Sequence, residues 1–416
     1  MPVCSLPDWI AEFARPENVW YVKRLSGNDT LANQSHQAGP YIPKELLFGA
    51  QPLLNNRDQL NPRVRLTAFV DSQPEVRQVT PIWYNGKLFG QTRNETRVTG
   101  WGGAASALLD PDSTGALAAF VFVNGATDAG ASSLHIWVCE GYQDEVIEDQ
   151  VGPVDPGHSV IWRPGVPVDL FSPNAALSSC RLARDQLPES WLHKFPTATE
   201  IVRKTVELRP LQSETPDSRL VRRRDCEFEL FKSVEEAAEG PRIAQGFSSL
   251  DEFVTLALSV LQRRKSRSGR SLELHTREIF LEEGLIEGSQ FSHSPVSEGE
   301  KRPDFLFPSQ AAYRDRSVPD SSLRMLGAKT TLKDRWRQIL NEADRIPRKH
   351  LLTLQEGVSE NQFAEMQAAG VQLVVPVGLI ESFPKPIRAH LMTLEQFIAE
   401  VRLLPTRPKP PLPLTP

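Results

Sequence analysis

The segment 302–342 constrains this chain more than any other part of it. It reads RPDFLFPSQAAYRDRSVPDSSLRMLGAKTTLKDRWRQILNE. Two short apolar runs, DFLFP and LRMLGAK, read as buried strands, with Asp304 at an end of the first and Lys329 at the end of the second. A charge at the end of a buried run must face a cleft or be paired. The stretch KDRWRQILNEADRI (333–346) then predicts a helix that presents Glu342, thirteen residues beyond the lysine. Two acids and a lysine converging from two strand ends and a helix suit metal-dependent phosphodiester cleavage. The acids hold Mg²⁺ and the lysine supports the attacking hydroxide or the developing charge. Spacing alone leaves a plainer reading open: Pro-Asp as a turn, and the lysine in a strand-end ion pair.

Composition permits two domains. At 416 residues, 40% hydrophobic and 24% charged, the chain is long enough for two cores. No stretch reaches the length of a membrane span, and the N-terminus lacks a basic segment followed by an apolar one. The four cysteines, Cys4, Cys139, Cys180 and Cys226, are widely spaced, so neither a zinc site nor a disulfide framework is expected, in keeping with a cytoplasmic protein. The net charge of −5 argues against a protein that coats nucleic acid indiscriminately. Residues 261–350 hold 18 Lys/Arg and 13 Asp/Glu, a local +5 that leaves −10 for the rest. Such a basic window suits DNA at a defined groove, and suits an ordinary solvated surface equally well.

Residues 19–170 show short β-like runs divided by Gly, Pro, Asn and Asp, among them VRLTAFV, TPIWYN, ALAAFVFV and SLHIWVCE. They predict an all-β barrel or sandwich. A Pro- and Gly-rich stretch follows, and the weakly patterned segment 173–186 is read as a hinge linker between a domain at 1–172 and another at 187–404. In the second, helices alternate with strands, which predicts an α/β architecture. SSLDEFVTLALSVLQRR (248–264) and SLELHTREIFLEEG (271–284) read as two helices, with Glu273 in the first turn of the second. Residues 405–416 are Pro-rich and predicted to be disordered. No GxxxxGK[ST] loop is present, so ATP is not expected as a partner.

Several strings occur in order along the chain: VKRLSGNDT (22–30), HQAGPYIP (36–43), FGQTRNETR (89–97), DPDSTGAL (110–117), IWVCE (136–140), RRKSRSGRSLELH (263–275), KRPDFLFPS (301–309), KTTLKDRWRQILNEADRI (329–346), HLLTLQEGVS (350–359) and GVQLVVP (370–376). Through them the chain resembles the EcoRII family of type II (IIE) restriction endonucleases, up to about Ile398. The resemblance implies an N-terminal DNA-binding pseudobarrel and a C-terminal PD-(D/E)xK nuclease domain. It further implies a Mg²⁺-dependent homodimer in the cytoplasm of a prokaryote, cutting double-stranded DNA at a CC(A/T)GG-like site. A second copy of the site, bound to the N-domain, would relieve autoinhibition. A catalytically silent DNA-binding protein of the same fold, or a loosely specific nicking or repair nuclease, are the alternatives.

The same resemblance assigns roles. Asp304, Lys329 and Glu342 become the catalytic set, with Glu273 as a further metal ligand, or else a solvated acid near a helix start. The acid usual two residues before the lysine is absent, since that residue is Gly327; in this family the second acid has moved to the helix. Tyr313 is either a catalytic phenol or a half-buried loop anchor. Lys333, Asp334 and Arg335 form a donor–acceptor–donor run suited to guanine and cytosine edges. Arg224 and Phe228, four apart on one face of a predicted helix over 219–231, match residues that embrace flipped-out central nucleotides; a core Phe and a surface Arg are the plainer reading. His36, Tyr41, Lys87, Arg93, Glu95 and Arg97 fall where the effector DNA is held. Gln91 and Thr96 stand where the family's namesake is more basic, which implies weaker or shifted binding.

Overall fold

A computed structural model of the chain describes residues 5–33, 39–124, 130–163 and 180–405, with Asp334 described by its backbone alone. His36, the first part of the expected linker (173–179) and nearly all of the Pro-rich tail lie outside the described residues. Two compact units emerge. One comprises Met1–Leu177, Gln355–Phe363 and Glu381–Ala389; the other comprises Ser178–Leu354, Ala364–Ile380 and His390–Pro416.

The first unit is built on seven strands: β1 (Val19–Arg24), β2 (Leu66–Val70), β3 (Glu75–Tyr84), β4 (Glu95–Thr99), β5 (Leu117–Asn124), β6 (Ala131–Val138) and β7 (Ser159–Trp162). They form one sheet in the order β4-β3-β2-β6-β5-β1-β7. All neighbours are antiparallel except β2 and β6. Strand alternation explains the two faces of β2–β4: Leu66, Ala68, Val70, Val79, Trp83 and Val98 are buried, while Thr67, Gln78, Thr80, Glu95 and Arg97 remain accessible. Helix α1 (Leu6–Phe13) places Trp9 and Phe13 in one apolar cluster, with Trp20 and Trp137. Helix α2 (Lys44–Ala50) contributes Leu46 and Leu47 to another, with Phe120 and Ile136. Helix α3 (Gln143–Val151) supplies Asp144 and Glu148 to buried Arg24.

The second unit opens with helices α4 (Glu189–His193), α5 (Ala198–Leu208), α6 (Pro216–Gln245) and α7 (Leu250–Glu282). The last of these corrects the sequence reading. One helix of 33 residues replaces the two expected at 248–264 and 271–284, running unbroken through Gly269. A single glycine costs a helix only about 1 kcal/mol, and Arg267 and Ser271 on either side of it are anchored at buried Glu227. Glu273 therefore lies deep inside a helix, not in a first turn. The end of the expected linker is also tied down. Cys180 is disulfide-bonded to Cys226 of α6, a pairing that the 46-residue separation had concealed. Leu182 N donates to Ser233 Oγ at 3.0 Å, and Arg181 pairs with Glu236 at 2.8 Å. Residues 180–186 thus pack on α6.

A five-stranded mixed sheet follows: β8 (Ser292–His293), β9 (Phe305–Phe307), β10 (Arg324–Ala328), β11 (Lys349–Leu352) and β12 (Val371–Val374), in the order β12-β11-β10-β9-β8. Strands β10, β11 and β12 run parallel, and β9 is antiparallel to β10. Phe280 of α7 packs edge-on against Phe291, Phe305 and Phe307, which fixes the helix over the sheet. No helix among the described residues is long and apolar enough to cross a membrane.

Candidate active site

Strand pairing gathers the first two residues. β9 and β10 place Leu326 opposite Phe305, so Asp304 and Lys329 arrive at the same edge of the sheet. Asp304 Oδ2 accepts from Ala328 N at 2.7 Å and lies 3.7 Å from Lys329 Nζ. Burial pushes the Asp304 carboxyl above the usual range, although the Lys329 charge and the Ala328 N–H both pull it down.

Glu342 arrives differently from the sequence reading. The segment Lys333–Asn341 is a 3-10 helix, and Glu342 is the extended residue that ends it, with φ −98° and ψ 145°. Ala343 follows at φ 50°. Lys349, at the start of β11, stabilises this turn by donating from Nζ to the carbonyls of both Glu342 and Ala343. The lysine is buried and was not singled out in the sequence, because nothing in its spacing shows that its ammonium would cap a helix end. Glu342 Oε2 is buried with no hydrogen-bond partner among the described residues. Its carboxyl is pushed up to about 7, first by burial and then by the charge of Asp304, with Lys329, Lys349 and Lys301 opposing.

Gly327 leaves no room for an acid two residues before Lys329. A Cβ at Gly327 would stand 2.8 Å from Ile339 Cγ2 and 3.5 Å from Leu351 Cδ1. The 3-10 helix occupies the space that an acid two residues before the lysine would need. The same helix delivers Glu342.

Glu273 stands on α7 with His293 Nε2 2.5 Å from its Oε1 and Ser294 Oγ donating at 2.8 Å. Burial raises its carboxyl, but the His293 and Ser294 hydrogen bonds outweigh that and leave it below the usual range. Its electrostatic influence reaches Asp304. Among the described residues no three His, Cys, Asp or Glu are gathered closely enough to form a metal cage.

Tyr313 lies on α8 (Gln310–Arg314) and is buried. Its hydroxyl donates to Glu298 Oε1 and accepts from Arg345 N at 3.3 Å, while the Arg345 guanidinium donates to the Tyr313 carbonyl. The phenol therefore anchors the chain that follows Glu342. Its pKa is raised, by burial first and then by Glu298.

Lys333 and Arg335 open the 3-10 helix, Lys333 half-buried and Arg335 exposed. Arg224 and Phe228 share α6. Arg224 is buried and donates to Glu227 Oε2 at 2.9 Å. Glu227 also faces Arg267 and His275, each at 3.6 Å. Burial would raise this carboxyl, yet Arg267, His275 and Arg224 bring it down to about 2. The Arg267 guanidinium lies 5.3 Å from the Phe228 ring centre.

In the first unit Tyr41 is 54% exposed, and its backbone N donates to Asp29 Oδ1. Lys87 is exposed on the turn Gly86–Phe89, and its N donates to Arg93 O at 2.9 Å. Glu95 accepts from Arg93 at 2.6 Å and from Arg97 at 3.2 Å, and the Arg93 guanidinium lies 4.0 Å above the Tyr84 ring centre. Burial raises the Glu95 carboxyl, but the hydrogen bonds and charges of Arg97 and Arg93 hold it below the usual range. Thr96 falls on the buried face of β4.

Two sequence profiles match this chain. One, described as EcoRII C terminal, covers residues 231–398; the other, Restriction endonuclease EcoRII, N-terminal, covers residues 14–166. The Type II restriction enzyme EcoRII of Escherichia coli is 44% identical over 397 residues, covering 95% of this chain and 96% of that protein. The chain belongs to the EcoRII family of type II restriction endonucleases. It is a site-specific deoxyribonuclease. Weaker likenesses join this EcoRII-family enzyme to solved structures. Metal-depleted Ecl18kI in complex with uncleaved, modified DNA gives a TM-score of 0.42 at 20% identity, over 51% of this chain and 79% of that one. The B3 domain of UbaLAI restriction endonuclease with cognate DNA gives 0.23 at 15%, over 38% and 97%.

Proposed function

We propose that this enzyme is a cytoplasmic, homodimeric nuclease that hydrolyses double-stranded DNA at a CC(A/T)GG-like site with Mg²⁺. Its C-terminal domain is read as a PD-(D/E)xK nuclease and its N-terminal sheet as an effector-binding pseudobarrel. The observation that carries the reading is the pair Asp304 and Glu342 beside Lys329. Both carboxyls are pushed upward, each burdened by burial, and one Glu342 oxygen has no hydrogen-bond partner among the described residues. A divalent cation offers the compensation that such acids lack, and hard oxygen ligands suit Mg²⁺.

Asp304 and Glu342 would hold the ion, and Glu273, held by His293 and Ser294, is the candidate for a further ligand. The bound ion would acidify a water and neutralise phosphate charge. Lys329 Nζ, held toward the same edge by Asp304, bonds the attacking oxygen or the non-bridging phosphate oxygen. Tyr313 fixes the chain after Glu342 and so acts on the geometry of the acid. Lys333, Asp334 and Arg335 read the CC:GG half-site, and Arg224 with Phe228 accommodates the central nucleotides. In the isolated chain Arg224 is engaged with Glu227, so that role requires the DNA to draw on a pre-formed, charge-balanced cluster. Tyr41, Lys87, Arg93, Glu95 and Arg97, together with His36, hold the effector copy, whose binding shifts the enzyme toward its cleaving state by its difference in affinity for the two states.

A silent DNA-binding relative would have no use for the unrelieved pair of acids. Plasmids carrying none, one or two copies of CC(A/T)GG, incubated with Mg²⁺ or EDTA, test the reading. Cleavage is expected with Mg²⁺ alone, slow on one site and restored by an oligonucleotide bearing a second. Cleavage independent of the sequence, or equal rates on one and two sites, would remove the site assignment or the effector role respectively.

A further inference from the structure

The accessible face of the N-terminal sheet continues past the residues assigned to effector DNA. Arg63 bridges to Ile82 in antiparallel register, and Ile82 pairs on its other side with Arg97. Val64 N donates to Pro81 O at 3.1 Å, and Leu66 pairs with Val79, so the register holds throughout and Arg65 stands opposite Thr80. Directly paired residues in neighbouring strands project from the same face. Arg63, Arg65, Arg97 and Glu95 therefore share one face, two strand spacings across, or roughly 10 Å. Opposite it, Leu66, Val79, Trp83 and Val98 fill the core, so the register cannot slip without burying the arginines.

The charges on this face are unequal. Glu95 is paired with both Arg93 and Arg97. Arg63 and Arg65 are exposed and make no ion pair among the described residues. The same face carries the hydroxyls and amides of Thr67, Gln78, Thr80 and Thr99 beside the buried, apolar Ile82 opposite Arg63, with Gln78 donating to Thr67 Oγ1 at 3.0 Å and Thr99 to the Thr80 carbonyl at 3.3 Å. Exposed guanidiniums with no ion pair among the described residues suit a polyanion that lies along the face. The core-packed strands beneath them supply rigidity.

We propose that Arg63 and Arg65 extend the effector-DNA surface as phosphate contacts, lying on the opposite edge of β3 from Arg97 of β4. The inference rests on the reading of the N-terminal sheet as the effector site. Phosphate contacts add affinity and salt dependence but carry no sequence information. The carboxylate-bearing row at Glu95 and Arg97 has the acceptor and donors needed for base edges; the row at Arg63 and Arg65 has donors only.

The test uses full-length protein in Ca²⁺, with fluorescent duplexes carrying either one CC(A/T)GG site or a scrambled sequence. Binding is followed by anisotropy over a series of salt concentrations. Arg63→Gln/Arg65→Gln is expected to lower the slope of log affinity against log salt by about 2, near 1 for each lost contact. Both duplexes should weaken by the same factor, and Arg63→Lys/Arg65→Lys should retain most of the slope. A slope equal to that of the unaltered protein, or a loss confined to the site-bearing duplex, would overturn the proposal. Arg93→Gln/Arg97→Gln is measured alongside. If that variant weakens site binding while Arg63→Gln/Arg65→Gln does not, the extension alone fails; if neither weakens it, the reading of the sheet as an effector site fails with it.

Discussion

Glu342 and Glu95 are both glutamates beside basic residues, and their environments drive them in opposite directions. Glu342 ends a 3-10 helix in a buried corner, where desolvation and Asp304 outweigh three lysines and lift its carboxyl to about 7. Glu95 sits on an accessible strand face, where two arginines bond it directly and hold it low. Desolvation is opposed by direct hydrogen bonds in one case and by charges acting at a distance in the other. The difference separates a carboxyl that burial leaves uncompensated from one matched by the two arginines beside it.

The comparison breaks most visibly at Asp304. Asp304→Ala removes one acid of the unrelieved pair, and cleavage is expected to fall by more than about a thousandfold. Binding to the site in Ca²⁺ should persist, because no base contact is lost. Near-normal cleavage of plasmid by this variant in Mg²⁺ would end the metal-site assignment.

Burial in the same sheet should govern a basic group as it governs the acids. His350 on β11 is fully buried, 5.0 Å from the Phe397 ring. Burial holds its imidazole down at about 4, against the pull of Glu400 and with help from Arg348 and Arg324. The unfolded chain binds this proton near pH 6.5 and the fold resists it until about pH 4. Stability supported by the neutral ring is therefore complete above pH 6.5 and lost as pH falls toward 4, by at most about 3 kcal/mol. His350→Leu should flatten the dependence of unfolding free energy on pH over that window. Parallel curves for the two proteins would show that the imidazole is not held neutral.

Lys349 tests whether Glu342 is positioned or merely nearby. Lys349→Met leaves the carbonyls of Glu342 and Ala343 without their ammonium donor. Supporting residues of this kind typically cost about 10- to 100-fold in metal affinity or activity. The Mg²⁺ concentration for half-maximal cleavage should rise while site binding in EDTA is unchanged, and Lys349→Arg should restore part of the loss. An unaltered Mg²⁺ dependence would reduce the lysine to a packing role.

Much of this contrast was legible in the sequence, for reasons that differ by residue. Strands β9 and β10 are short buried runs with charged ends, and β12 is one bounded by Gly370 and Pro376, so DFLFP, LRMLGAK and VQLVVP announce themselves. The β2–β4 alternation is equally plain, because one face is core and the other wet. The join in α7 was misread because KSRSG (265–269) looks like a break locally, whereas Glu227 on α6, some forty residues away, anchors Arg267 and Ser271. Glu342 was expected within a helix; the turn that ends the helix depends on Lys349 from a later strand. The Cys180–Cys226 bond was hidden for the same reason, since only the packing of residues 180–186 on α6 brings the sulfurs together. Each miss is a long-range contact overriding a local signal.

The smallest expected effect lies at Glu95. Its pairs with Arg93 and Arg97 are substantially exposed, with side-chain exposures of 37%, 42% and 35%. Exposed pairs contribute at most about 1 kcal/mol and fade with salt. Glu95→Gln should thus lower the unfolding free energy by less than that amount, and the difference should vanish in high salt. Removing the negative charge also frees two guanidiniums, so affinity for scrambled DNA should hold or rise. Glu342→Gln offers the opposite case: it removes a carboxyl that burial disfavours, and the fold should be no less stable at pH 8 and less dependent on pH between 5 and 7. If Glu95→Gln were the more damaging of the two to stability at pH 8, the assignment of one carboxylate to a matched surface and the other to an unrelieved site would have to be reversed.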